Sequence, residues 1–196
     1  RPGPVLIDLP LDVQLAEIEF DDETYEPLPV YKPAATRRQV EKALEMLNAA
    51  ERPLIVAGGG VLYSQAWAEL RAFAEAHGIP VVESHGGKSS LPWDHPLNLG
   101  AVGVTGSPAA NEAAANADLV FAVGTRLQDF TTGSHSLFAK ARILSLNVQS
   151  FDAGKQHGTA LVADARVGLE QLHSALQGWS ADAVWTTHAR ELAQRW

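Results

Sequence analysis

Pro53-Leu54-Ile55-Val56-Ala57-Gly58-Gly59-Gly60 is the stretch that decides how this chain folds. Four apolar residues follow a proline, three glycines end the run, and an amphipathic segment extends from Ser64 to His77. That is the pattern of a buried parallel strand, a tight turn and a helix, the opening of a βαβ unit. Glycine lacks a Cβ, so the turn can take positive φ and bring backbone N–H groups close to an anion. Gly58 and Gly60 fill the first two positions of a G-x-G-x-x-G fingerprint, but Tyr63 stands at the third. The triplet is therefore read two ways: as a ligand loop, or as a turn that lets helix and strand pack.

Upstream, Thr36 and Gln39 form a T-x-x-Q capping box, and Val40, Ala43, Leu44 and Leu47 repeat on one helical face. Downstream, Ser64 is expected to cap a helix buried through Trp67, Leu70 and Ala74, which Gly78 ends. Further strands are expected at Ile79–Glu83, Leu119–Val123, Ile143–Val148 and Leu161–Ala163. Ser107-Pro108 opens an alanine-rich helix, and Asp164 caps a last one buried through Val167, Leu169, Leu172 and Leu176. Alternating strands and helices with short connections give an α/β fold with a doubly wound, Rossmann-like parallel sheet.

Outside this core, the run from Gly3 to Pro10 reads as a short strand. Residues Glu17 to Glu26 hold six carboxylates (Glu17, Glu19, Asp21, Asp22, Glu23, Glu26), and Pro27, Pro29 and Pro33 follow. Proline withholds N–H donors, so this stretch is expected to be a solvated connector. The expected organisation is 1–34 as the end of a preceding domain plus linker, 35–178 as a central domain, and 179–196 as a linker whose tryptophans dock on an absent domain. The chain opens Arg1-Pro2-Gly3 without methionine, which reads as a piece of a longer protein.

A formal charge of −8 argues against a nucleic-acid surface. No apolar run reaches the ~18 residues of a membrane span. With no cysteine there is no disulfide or thiolate–metal site, which is compatible with a cytoplasmic setting. Neither G-x-S-x-G nor H-E-x-x-H occurs, and the seven histidines show no i, i+3 or i, i+4 pairing, so no metal site is expected.

Chemistry-bearing residues gather instead at expected strand ends: Gly58, Gly59 and Gly60; His85, Gly86, Gly87 and Lys88; Gly124, Thr125 and Arg126; and Asn147. Open α/β sheets place ligands outside the carboxyl ends of their strands. Arg126 suits a phosphate or carboxylate, Lys88 suits an anion, and Asp129 is a candidate to hold Arg126.

These residues resemble the central domain of thiamine-diphosphate enzymes of the acetolactate-synthase type. Residues 1–14 and 25–33 are similar to the glyoxylate carboligase branch. Gly86-Gly87-Lys88-Ser89-Ser90-Leu91-Pro92-Trp93-Asp94-His95-Pro96-Leu97, residues 124–134 and residues 146–153 are similar to the branch that hydrolyses trihydroxycyclohexane-1,2-dione in inositol breakdown. The resemblance implies that thiamine diphosphate and Mg2+ are bound mainly by N- and C-terminal domains absent here. It also implies that His85 to Lys88 face the active site, that the fragment alone is inactive, and that the enzyme is a homodimer or homotetramer. Relatives that bind FAD use a Gly-x-Arg-x-Asp-Asp-Arg run. Gly124, Arg126 and Asp129 match it, but Phe130 departs from it, and Asn147 and Gln149 replace acids, so FAD binding is expected to be weak or absent. The alternative from another class is a stand-alone nucleotide-binding module resembling an electron-transfer flavoprotein domain.

Overall fold

The apolar run after Arg52 forms β1 (Pro53–Ala57), every residue of which is buried. It lies at the middle of the sheet in a computed structural model that describes residues 4–196. β2 (Val81–Glu83) and β4 (Leu119–Val123) flank it in parallel, with Ile55 opposite both Val81 and Phe121. β3 (Asn98–Ala101) pairs with β2, β5 (Arg142–Asn147) with β4, and β6 (Thr159–Val162) with β5, all parallel. The spatial order is β3-β2-β1-β4-β5-β6. Strand order reverses between β1 and β4, the doubly wound arrangement expected from the sequence, with one strand (β3) that the sequence pattern did not mark.

The chain clusters into two units, residues 1–31 and 32–196. Among the described residues of the first, the regular pieces are α1 (Leu11–Gln14) and a 3-10 turn at Asp22–Thr24. Residues 4–10 form no strand, and Val5, Leu6, Ile7 and Leu9 are exposed. This corrects the strand expected from Gly3, a residue that itself lies outside the described ones. Pro4 and Pro10 each withhold an N–H, so the short run has few donors for a ladder.

In the second unit, successive strand residues point to opposite sheet faces. Ile55, Phe121, Leu144 and Leu161 join one core with α2 (Arg37–Asn48), α4 (Trp67–His77) and α8 (Ala165–Ala175). Leu54, Val56, Val120 and Ala122 join the other with α5 (Pro108–Asn116) and α9 (Ala183–Arg195). Thr36 and Gln39 make the full capping box on α2, and Asp164 caps α8. Gly78 ends α4 with φ 62°, in the left-handed region.

Two local expectations fail. Ser64 ends a short helix, α3 (Gly59–Tyr63), instead of starting α4, and its hydroxyl donates to the Asp164 carboxylate at 2.8 Å. Trp67, expected on the buried face of α4, is 48% exposed, and Phe73 takes the buried position with Leu70 and Ala74. Two of the three tryptophans after 178 dock within this unit, while Trp196 is exposed: the Trp185 indole N–H donates to the Pro53 carbonyl at 2.8 Å, and Trp179 packs on the α4–α8 core.

That docking uses a buried histidine. His77 Nδ1–H donates to the Trp179 carbonyl at 2.8 Å, and its ring lies 4.6 Å from Phe73 and 5.6 Å from His173. Nε2 is buried without a partner. Burial pushes the His77 pKa below its ordinary 6.5, the carbonyl bond opposes this, and nearby His173 adds to the lowering. The folded state thus keeps His77 neutral where the unfolded chain binds a proton, so stability falls as pH drops below about 6.5. Urea denaturation between pH 7.5 and 5 is expected to show this loss, with a shallower slope in His77→Gln; equal slopes in the two proteins would refute the assignment.

Candidate functional site

The four stretches singled out in the sequence converge at the carboxyl ends of β1, β2, β4 and β5. The turn after β1 runs straight into α3. A Cβ on Gly58 would lie 2.5 Å from the Gly124 carbonyl oxygen and from Thr125 Cβ. One on Gly60 would lie 2.5 Å from Gly124 Cα, and one on Gly124, whose φ is 63°, would lie 2.6 Å from Gly60 Cα. The two loops fill each other's missing side-chain space. Two of the triplet's three donors are engaged as well: Gly58 N–H bonds the Val123 carbonyl at 2.8 Å, and Gly60 N–H bonds the Gly124 carbonyl at 2.9 Å. The triplet thus packs backbone against backbone, and Tyr63 is exposed.

The loop after β2 is held the same way. His85–Gly87 forms a 3-10 turn. Gly87 is buried under the end of β1, where a Cβ would meet the Ala57 carbonyl oxygen at 2.2 Å. Gly86 sits above Gly59 with its own side-chain position open to 3.8 Å. His85 and Lys88 are exposed. Farther along, His95 is buried: its Nδ1 accepts from Leu97 N–H at 3.2 Å, and its Nε2 reaches Glu75 Oε1 at 3.0 Å. The bond to His95, then that to Arg71, holds the Glu75 carboxyl below its ordinary value. His95 is thus a tether for the loop.

Beyond β4, Thr125 is buried and its hydroxyl accepts from Leu127 N–H at 3.3 Å. Asn147, at the end of β5, donates to the Thr125 carbonyl at 3.1 Å and accepts from Gln149 N–H at 3.0 Å. The amide therefore ties two strand-end loops together. Arg126 is exposed. Asp129 does not hold it: that carboxylate faces His135 Nε2 at 3.4 Å. The reason is local, because Asp129 starts α6 (Asp129–Thr132) and Gly133, at φ 54°, turns the chain back to bring His135 alongside.

One charged residue escaped notice in the sequence. Glu83, the last residue of β2, is 7% exposed, and its Oε1 accepts from Leu91 N–H at 3.1 Å. A carboxylate ending an apolar strand was the available signal, since such groups are rarely buried without a role. Among the described residues no three His, Cys, Asp or Glu side chains gather as a metal site.

A family model described as "Thiamine pyrophosphate enzyme, central domain" matches residues 40–172. The chain is similar to glyoxylate carboligase of Escherichia coli O157:H7, with 46% identity over 181 residues, covering 90% of this chain and 30% of that protein. It is also similar to 3D-(3,5/4)-trihydroxycyclohexane-1,2-dione hydrolase of Clostridium perfringens strain 13, at 41% over 179 residues, 89% of this chain and 28% of the relative. The Bacillus subtilis strain 168 hydrolase is 38% identical over 200 residues, covering 100% of this chain and 31% of the relative. The chain thus spans about three tenths of the length of these relatives.

The glycine geometry separates two neighbouring positions. Gly87→Ala is expected to destabilise the chain by about 2 kcal/mol or more, because a Cβ overlaps backbone that cannot yield easily. Gly86→Ala is expected to stay within about 0.5 kcal/mol. Thermal or denaturant melts of the two variants check this, and similar losses in both would refute the interlocked-backbone account.

Proposed function

The chain belongs to the thiamine pyrophosphate enzymes, as their central domain, and on that premise we propose that it is the middle part of a carbon–carbon bond hydrolase acting on trihydroxycyclohexane-1,2-dione. The observation behind this reading is where the hydrolase-like residues fall. Gly86–Leu97, residues 124–134 and residues 146–153 include the loops that the sheet brings to its carboxyl edge. A second reading, glyoxylate carboligase, is favoured by the higher whole-chain identity, 46% against 41% and 38%.

Thiamine pyrophosphate, when bound, supplies the electron sink for bond cleavage or formation beside a carbonyl. Among the described residues no three His, Cys, Asp or Glu side chains gather, and the residues at the carboxyl edge are glycines, a threonine, an amide and cations, a donor set that suits an anion and not a cation. The groups that hold the cofactor and Mg2+ are assigned instead to parts of the enzyme beyond this chain, which is inactive alone. The role of this domain is positional. The turn from His85 to Lys88 presents an imidazole and an ammonium on backbone locked by Gly87, facing the substrate in the assembled enzyme. Gly58, Gly59, Gly60, Gly124, Thr125, Arg126 and Asn147 form a nucleotide-type rim in which Arg126 is the group able to meet an anion. Asn147 already uses its carbonyl and one N–H within the fold, which fits weak or absent FAD binding. The setting is cytoplasmic, and the assembly is a homodimer or homotetramer.

Turnover by the full-length enzyme decides the reaction. Hydrolysis of the cyclic dione should exceed carboligation of glyoxylate. Faster turnover of glyoxylate, with CO2 release, would transfer the assignment to the carboligase. Titration with FAD is expected to give no saturable flavin signal at micromolar concentrations; a tight stoichiometric complex would overturn the reading of the rim.

A further inference from the structure

Glu83 opens onto a cavity of about 500 Å3 between the first turn of α4 and residues 88–93. The cavity lies beside β2, across β1 from the loops that carry Arg126 and Asn147. Three features of its lining have no use in the fold. Glu83 Oε1 is satisfied by Leu91 N–H, and Oε2, which has no hydrogen-bond partner among the described residues, is not a sealed atom but one open to solvent. A carboxylate oxygen facing a cavity is free to accept a charge-assisted hydrogen bond from a ligand N–H. Trp67 is 48% exposed and Trp93 90% exposed, and both line the same cavity. Large aromatic faces left in water are a favourable stacking surface for another ring. Lys88, also on the lining, is exposed and pairs with no carboxylate among the described residues, whereas Arg71 already holds Glu75 at 2.9 Å.

These groups specify a ligand from the inside outward. The Glu83 oxygen offers an acceptor to N–H donors, the indoles offer apolar faces to a flat ring, and Lys88 offers positive charge to an anion. We propose that this cavity binds a planar nitrogen heterocycle with adjacent N–H donors and an anionic tail, a purine nucleotide of the guanine type. Guanine offers a ring N–H and an exocyclic amino group on one edge, matching a carboxylate, and adenine offers the amino group alone. Glu83, Trp67 and Trp93 are independent of the thiamine pyrophosphate assignment, and Lys88 is shared with the substrate-facing turn proposed above.

The test is a titration of the full chain with GMP, AMP and guanosine, followed by tryptophan fluorescence. GMP should quench saturably, with AMP about tenfold weaker or more, as expected for one lost charge-assisted hydrogen bond. Guanosine should be several-fold weaker for want of the phosphate. Glu83→Gln keeps an acceptor for Leu91 N–H and should lose the preference for GMP over AMP. Trp93→Ala, at a side chain almost wholly in solvent, should leave the melting temperature unchanged and weaken GMP about tenfold. Equal affinity for GMP and AMP, undiminished GMP binding in Trp93→Ala, or no saturable quenching at millimolar GMP would each overturn the proposal.

Discussion

The contact on which this molecule depends is backbone against backbone. Gly58 and Gly60 after β1 meet Gly124 after β4 so closely that none of the three has room for a methyl group. β1 and β4 are neighbours at the point where strand order reverses. There an α/β sheet opens a crevice at its carboxyl edge. Here part of that opening is closed by the protein itself, with Gly60 N–H bound to the Gly124 carbonyl. Positive φ at Gly124 completes the fit, so two requirements, space and backbone conformation, fall on one residue.

The same device fixes the neighbouring loop. Gly87 lies under the Ala57 carbonyl, and Ser84 N–H bonds that same oxygen at 2.8 Å. Asn147 bridges to the Thr125 carbonyl on the other side. Four strand-end loops are thereby locked, three through main-chain atoms and the fourth through the Asn147 amide, and the side chains of His85, Lys88 and Arg126 are exposed. Functional groups on loops are positioned well only when the loops themselves are rigid. Glycines that read as a ligand cradle in the sequence pack backbone against backbone here.

The central strands were legible because burial on both faces writes a continuous apolar run, as in Leu54–Ala57 and Leu119–Val123. β3 was not, since Asn98-Leu99-Gly100-Ala101 is a half-exposed edge containing a glycine and no β-branched residue. Ser64 was misread for a different reason. A serine before an apolar stripe is a helix cap by local rules, but its hydroxyl is taken by Asp164, a partner one hundred residues away. His77 and His173 likewise look isolated in the sequence and meet only through packing of α4 on α8. The candidate site was legible as a set of loops and not as a set of bonds: the convergence was readable, whereas Asp129 pairing with His135 depends on a left-handed turn at Gly133.

Relatives with different reactions can share a domain like this one for a physical reason. A carboligase is 46% identical to the chain and a hydrolase 41%, each over about nine tenths of its length. The features that cannot vary without loss of the fold are the glycine interlock, the buried strands and the caps. Identity accumulated there measures common architecture. Choice between reactions must come from groups the fold leaves unconstrained: exposed side chains on locked loops, and the seven tenths of each relative that this chain does not span. High overall identity and a different reaction are therefore compatible, and the side chains at the carboxyl edge carry more weight than the percentage.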